Sequence, residues 1–173
     1  MGRATSPAYK MSFRRRREGK TVYEKRLALV KSGKPRLVVR RSNRSVIAHI
    51  VEFGEKGDKT VVSVGKKELQ KLGWEVRRNT PTAYLVGLLA GKEALAKGIK
   101  EAVLDIGLNT PTKNAIVFAA AKGASDAGLN LNFNGELDEG RIKGEHIAAH
   151  GKAKNAKEVP ALFEELKAKI LKA

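Results

Sequence analysis

The stretch RLVVRRSNRSVIAHIVEFGEKGDKTVVSVG, residues 36–65, decides the fold, because it strings three β-branched runs together on two short turns. RLVVRRS (36–42) alternates poorly but is rich in strand formers. SVIAHIVEFG (45–54) puts Val46, Ala48, Ile50 and Glu52 on one side and Ile47, His49, Val51 and Phe53 on the other. KTVVSVG (59–65) is the third run. The links Asn43-Arg44 and Glu55-Lys56-Gly57-Asp58 are short and turn-rich, so this stretch predicts an antiparallel three-strand meander.

Downstream, a small helix is expected over 66–72, and then the tetrapeptide Asn-Thr-Pro-Thr occurs twice, at 79–82 and 109–112. Each copy places a hydroxyl at an N-cap and a proline at the first helical position. After the first copy comes the apolar helix AYLVGLLAGKEALAKG, then a strand, EAVLDIG (101–107). After the second comes KNAIVFAAAKGASDAG, closed by Gly128. This order predicts a fourth strand parallel to the third, reached by a right-handed crossover. The fold class expected is therefore mixed α/β: the meander extended by a parallel strand into a mixed sheet, with helices packed on it. The repeated tetrapeptide is too short to mark a duplication; two good caps explain it.

Upstream of the meander, Val22, Leu27, Leu29 and Val30 have helical spacing, and Gly33-Lys34-Pro35 ends that helix. Residues 1–19 show no apolar periodicity and are expected to be a basic arm, flexible when free. Residues 20–133 form the expected core. Residues 134–173 read as an appendage ending in an amphipathic helix with Leu162, Phe163, Leu166 and Ile170 on one face, docked on the core or on a partner.

Charge separates these parts sharply. The chain of 173 residues has a formal charge of +17. Residues 1–44 hold 15 Lys and Arg against 2 acids, which leaves 20 Lys and Arg against 16 acids for the rest. A nearly balanced body therefore bears a strongly basic leader, which predicts a polyanionic partner. With no cysteine, disulfides and thiolate metal sites are excluded. The longest apolar run, AYLVGLLAG, is far short of the roughly 20 residues that cross a bilayer. The start of the chain has no apolar signal-peptide core, Met11 is a second candidate start, and the expected location is cytoplasmic.

Arginine clusters grip phosphates through forked, charge-assisted bonds, which points to Arg14, Arg15, Arg16 and Arg17. Phe13 and Tyr23 lie among the arginines, and aromatic rings can stack on unpaired bases. Arg40 and Arg41 are adjacent on a strand, so they face opposite ways. Only one can meet the core, unless that strand is an edge or an RNA-facing surface. The loop GLNTPTKN (107–114) is expected to set backbone N–H groups at a helix start, an anion site that lacks the Walker pattern. His146 and His150 are four apart, but the glutamate of a metalloprotease pair is missing, so no metal or other cofactor is expected. Asp105 is the candidate carboxylate for the alternative reading, a metal-dependent nuclease or nucleotide-handling enzyme, but no second acid in the sheet region suggests itself as its mate. No catalytic residue and no small-molecule substrate are therefore expected. An anionic-membrane module is disfavoured because the leader has no sizeable apolar face.

The ordered series FRRRREGKT, KSGKPRLVVR, AYLVGLLAG, EAVLDIGL, VFAAAKGASDAGL and GRIKGEHIA resembles the archaeal form of universal large-subunit ribosomal protein eighteen, over about residues 13–149. The resemblance implies a mixed α/β fold, no enzymatic activity, and a structural role in translation, in the central protuberance of the large subunit. Its implied partners are 5S rRNA, 23S rRNA and neighbouring large-subunit ribosomal proteins. The RNA-facing residues it implies are Arg14, Arg15, Arg16, Arg17, Lys20, Tyr23 and Arg26 in the leader, and Arg36, Arg40, Ser42, Asn43 and Arg44 at the first strand. Arg141, Lys143 and His146 complete the set.

Overall fold

The computed structural model describes residues 6–133, 135, 137–151 and 156–172. The first five residues of the expected arm and residues 152–155 of the expected appendage lie outside the described residues. β1 (Arg36–Arg41), β2 (Val46–Glu52) and β3 (Lys59–Val64) form the antiparallel meander, with Leu37 opposite Ile50 and Ala48 opposite Val64. A bulge between Ile50 and Val51 breaks the alternation of β2, and both residues are buried.

The fourth strand does not lie beside the third. β4 (Glu101–Asp105) joins parallel to β1, and β5 (Asn130–Leu131) joins parallel to β4, giving the order β3-β2-β1-β4-β5. The connecting helix α4 (Thr80–Ala96) packs on β2 and β3, and at 17 residues it runs about 25 Å, long enough to pass over several strands. β5 has two paired residues, too few to show a period.

Two of the expected caps need correction. At the first tetrapeptide the cap is Asn79, whose side-chain oxygen accepts from the Thr82 N–H at 3.0 Å, so Thr80 and Pro81 already lie inside α4. At the second, Asn109 commits its amide to the Ile106 carbonyl at 2.6 Å, closing a turn after β4. No helix starts there. α5 (Ile116–Asp126) begins seven residues later, behind Ala115, which offers no side-chain cap.

α4 is apolar nearly all round because it is enclosed: the sheet lies beneath it, α5 alongside, and the terminal helix α8 (Val159–Lys172) against it. α8 buries Phe163, Leu166 and Ile170 while Leu162 stays partly exposed. The Phe163 ring meets Tyr84 of α4 at 5.4 Å, and Lys92 donates to the Leu171 carbonyl. The terminal helix thus docks on the core of this chain. Two short helices lead to it, α6 (Glu139–Lys143) and α7 (Glu145–His150).

The contact between α4 and α5 is a close approach of small residues. A Cβ on Gly87 would stand 1.9 Å from the Ala120 carbonyl oxygen, and one on Gly123 would stand 2.1 Å from that of Tyr84. Neither backbone can yield without separating the helices. We expect Gly123→Ala to cost at least the 1–3 kcal/mol typical of overpacking, read as a drop in Tm, while Ser125→Ala on the exposed face stays within about 0.5 kcal/mol.

Candidate nucleic-acid interface

Because α4 and α5 cover one face of the sheet, the residues that alternate away from them define the other. Register puts Arg36, Val38 and Arg40 of β1, His49 and Val51 of β2, and Val103 and Asp105 of β4 on that second face. Over it stand α1 (Arg14–Arg17) and α2 (Tyr23–Lys31). Neither helix buries a residue. Between them and the sheet is a cleft of about 860 Å³, reached by Arg15, Lys20, Lys25, Arg26, Arg40 and Arg41.

The floor of the cleft is a ladder of alternating charge. Arg26 Nη2 donates to Asp58 Oδ2 at 2.9 Å, and Arg36 Nη2 reaches the same oxygen at 2.7 Å. Arg36 Nη1 donates to Asp105 Oδ2 at 3.1 Å, and Arg40 Nη2 to Asp105 Oδ1 at 3.0 Å. Arg40 Nη1 also donates to the Asp105 and Val39 carbonyls. Gly107 (φ +62°) turns the chain so that its N–H donates to Asp105 Oδ1, and a Cβ there would stand 2.8 Å from Arg40 Cζ.

These bonds correct one expected contact and recast a second residue. Arg36 does not face outward: its side chain is 4% exposed and its two terminal nitrogens are held by carboxylates. A buried guanidinium needs such partners, since desolvation otherwise costs several kcal/mol. Asp105 is an arginine clamp, and Asp58, which sequence spacing did not suggest, is the second acid, brought to it through Arg36. Among the described residues no group of three or more His, Cys, Asp or Glu is placed to hold a metal.

The remaining candidates fall into separate groups. Arg15, Lys20, Arg26 and Arg40 share the cleft. Arg14 pairs with Glu18, which also takes Lys20, while Arg16 and Arg17 are exposed with no ion pair among the described residues. Phe13 and Tyr23 pack on each other at 5.3 Å. Ser42 uses its hydroxyl to build the β1–β2 turn, accepting from the Arg44 and Ser45 N–H groups, and that leaves Asn43 and Arg44 at the exposed tip. Lys143 lies 3.5 Å from Glu164. Exposed His146 is held below its ordinary pKa by burial and by Arg141, with Asp138 opposing. Arg141 lies away from the cleft, in a second concavity with Arg41. Sequence reasoning missed Lys25 as a cleft residue and Arg41 as one that reaches both concavities; the open end of β1 was the available signal.

The family model of ribosomal large subunit proteins 60S L5 and 50S L18 matches residues 7–101. The large ribosomal subunit protein uL18 of Methanothermobacter thermautotrophicus is 50% identical over 92% of this chain and 85% of its own length. That of Haloarcula marismortui is 46% identical over 97% and 96%, and that of Halobacterium salinarum 47% over 97% and 98%.

Arg36→Gln should lower stability by about 3–5 kcal/mol in denaturant unfolding, since it takes from buried Asp105 the one buried cation that faces it. Arg17→Gln should stay within about 0.5 kcal/mol. His49 supplies a pH dependence: burial first, then Arg40, holds it below its ordinary value of 6.5. The unfolded chain therefore binds more protons than the folded one below that pH, and stability falls as pH drops through it. His49→Gln should lose less stability than the parent between pH 7 and about pH 5 in parallel denaturant titrations.

Proposed function

This chain belongs to the family of ribosomal large subunit proteins 60S L5 and 50S L18, and from that premise we propose that it binds 5S rRNA. It is a structural constituent of the large ribosomal subunit, not an enzyme. In our reading it helps attach 5S rRNA to 23S rRNA in the central protuberance of the cytoplasmic ribosome, alongside neighbouring ribosomal proteins.

The observation that carries this reading is the basic cleft over the open sheet face. Its three ladder arginines face only two carboxylates, so the floor stays positive, and Lys20, Lys25 and Arg15 add to it from above. Cations arrayed around a concave surface fit a phosphate backbone, whose condensed counterions are released on contact. α2, which buries nothing, is joined to the sheet side by a single side-chain hydrogen bond among the described residues, Arg26 to Asp58. It can therefore rest on a strand laid against the sheet without unpacking any core.

The test is filter binding to 5S rRNA and to an unrelated RNA of equal length across a salt series. We expect preference for 5S rRNA and a steep salt dependence, each phosphate contact contributing about 0.7–0.9 to the log–log slope. Removing residues 1–19 should reduce the slope and leave the thermal transition of the body in place. Equal affinity for the unrelated RNA refutes the reading.

A further inference from the structure

The second concavity differs from the cleft in its charge. It has a volume of about 340 Å³ and lies at the N-terminal end of α5. Arg41 reaches it from the end of β1, Lys113 from the loop after β4, and Arg141 from α6. Three separate segments thus converge their cations on one place. The cleft contains Asp58 and Asp105, which hold Arg26, Arg36 and Arg40. No acid lines the second concavity, and none of its three cations makes an ion pair among the described residues.

The convergence is built in by specific bonds. Asn114, the one non-glycine with positive φ among the described residues (57°), accepts the Asp138 N–H on its Oδ1 at 3.0 Å. That bond fastens the loop carrying Lys113 to the start of the helix carrying Arg141. Asp138 itself turns its carboxylate to the Gly140 N–H, where it caps α6. Asparagine tolerates the left-handed backbone that this turn needs, and the bond to Asp138 holds it there. The first-turn N–H groups of α5, which no side chain caps, add a favourable field to the same place.

We propose that Arg41, Lys113 and Arg141 form a second phosphate site, which takes a backbone phosphate of RNA at a point distinct from the cleft. This rests on the reading of the chain as an RNA-binding protein. Arg41 lines both concavities, so a bound strand can pass from one to the other along a continuous cationic track. The continuity favours a polymer over a free phosphate ion, for which the cleft would be irrelevant.

The experiment compares the full chain with an R41Q/K113Q/R141Q variant, after circular dichroism shows that both are folded. In salt-dependent binding to 5S rRNA, the variant should lose one phosphate contact, about 0.7–0.9 of slope. An unchanged slope overturns the site. Inorganic phosphate is then titrated while the backbone amide resonances of Asn114, Ala115, Ile116 and Val117 are followed. Shifts present in the parent and absent in the variant support the assignment; identical shifts in both overturn it. If the parent itself shows no preference for 5S rRNA, the reading above fails, and the phosphate titration alone decides this site. Tight phosphate binding with no change of RNA slope would mark a free-ion site and overturn the RNA proposal.

Discussion

The guanidinium of Arg36, buried between Asp58 and Asp105, fixes the functional side of the molecule. One side chain from the central strand ties the loop before β3 to the end of β4, and through those two carboxylates it orders Arg26 and Arg40 as well. The two buried members of this arrangement, Arg36 and Asp105, are each acceptable only while a partner stands opposite. The placement of β4 beside β1, rather than beside β3, is what delivers Asp105 to the right position, opposite Val38 and one strand away from Arg36. Topology and electrostatics are therefore one constraint seen twice.

Stability comes mainly from the other face. There the apolar sides of β2 and β3 meet α4 and that of β1 meets α5, and α4 meets α5 so closely that Gly87 and Gly123 leave no room for a methyl group. α8 closes the outer side with Phe163 on Tyr84, and the Tyr84 hydroxyl donates to Asp126, its ionisation pushed far upward by burial and by that carboxylate. With the core formed on this side, the opposite face is released from having to be apolar. It can carry arginines because its buried charges, Arg36 and Asp105, are paired and the others stay at least partly exposed.

Much of this was legible in the sequence where a period was long enough to show. β2 alternates over its first five residues, α4 is a largely apolar run of 17, and Phe163, Leu166 and Ile170 recur at helical spacing, so those elements and the mixed sheet were readable. The order of strands was not, because a crossover helix says that two strands are parallel without saying which neighbours they take. The twin tetrapeptides misled for a different reason. Identical local chemistry serves a helix at Asn79 and a turn at Asn109, and the choice is made by what each amide can reach. Among the site residues, the exposed arginines could be read from composition, whereas Arg36 could not be told from its neighbours until the fold set two carboxylates beside it. Arg41 was passed over because a pattern of alternation cannot show that β4 stops short of it, pairing only Arg36, Leu37 and Val38.

On the proposed reading, a polyanion completes the leader better than more protein would. Ahead of Arg26 its described side-chain contacts are local: Phe13 on Tyr23, Arg15 to Thr21, and Glu18 shared between Arg14 and Lys20. Exposed pairs of this kind contribute about 0–1 kcal/mol and weaken with salt, so they cannot offset the mutual repulsion of the remaining cations. The acids nearest in space, Asp58 and Asp105, are already engaged by Arg26, Arg36 and Arg40. A protein surface that neutralised the leader would need a dense field of carboxylates, each losing hydration on contact. A nucleic-acid backbone presents its charges already regularly spaced and surrounded by condensed counterions whose release favours binding. On the proposed reading, α1 and α2, which have no fully buried residue, are the surfaces that contact RNA, with the sheet beneath them as the rigid side of the grip.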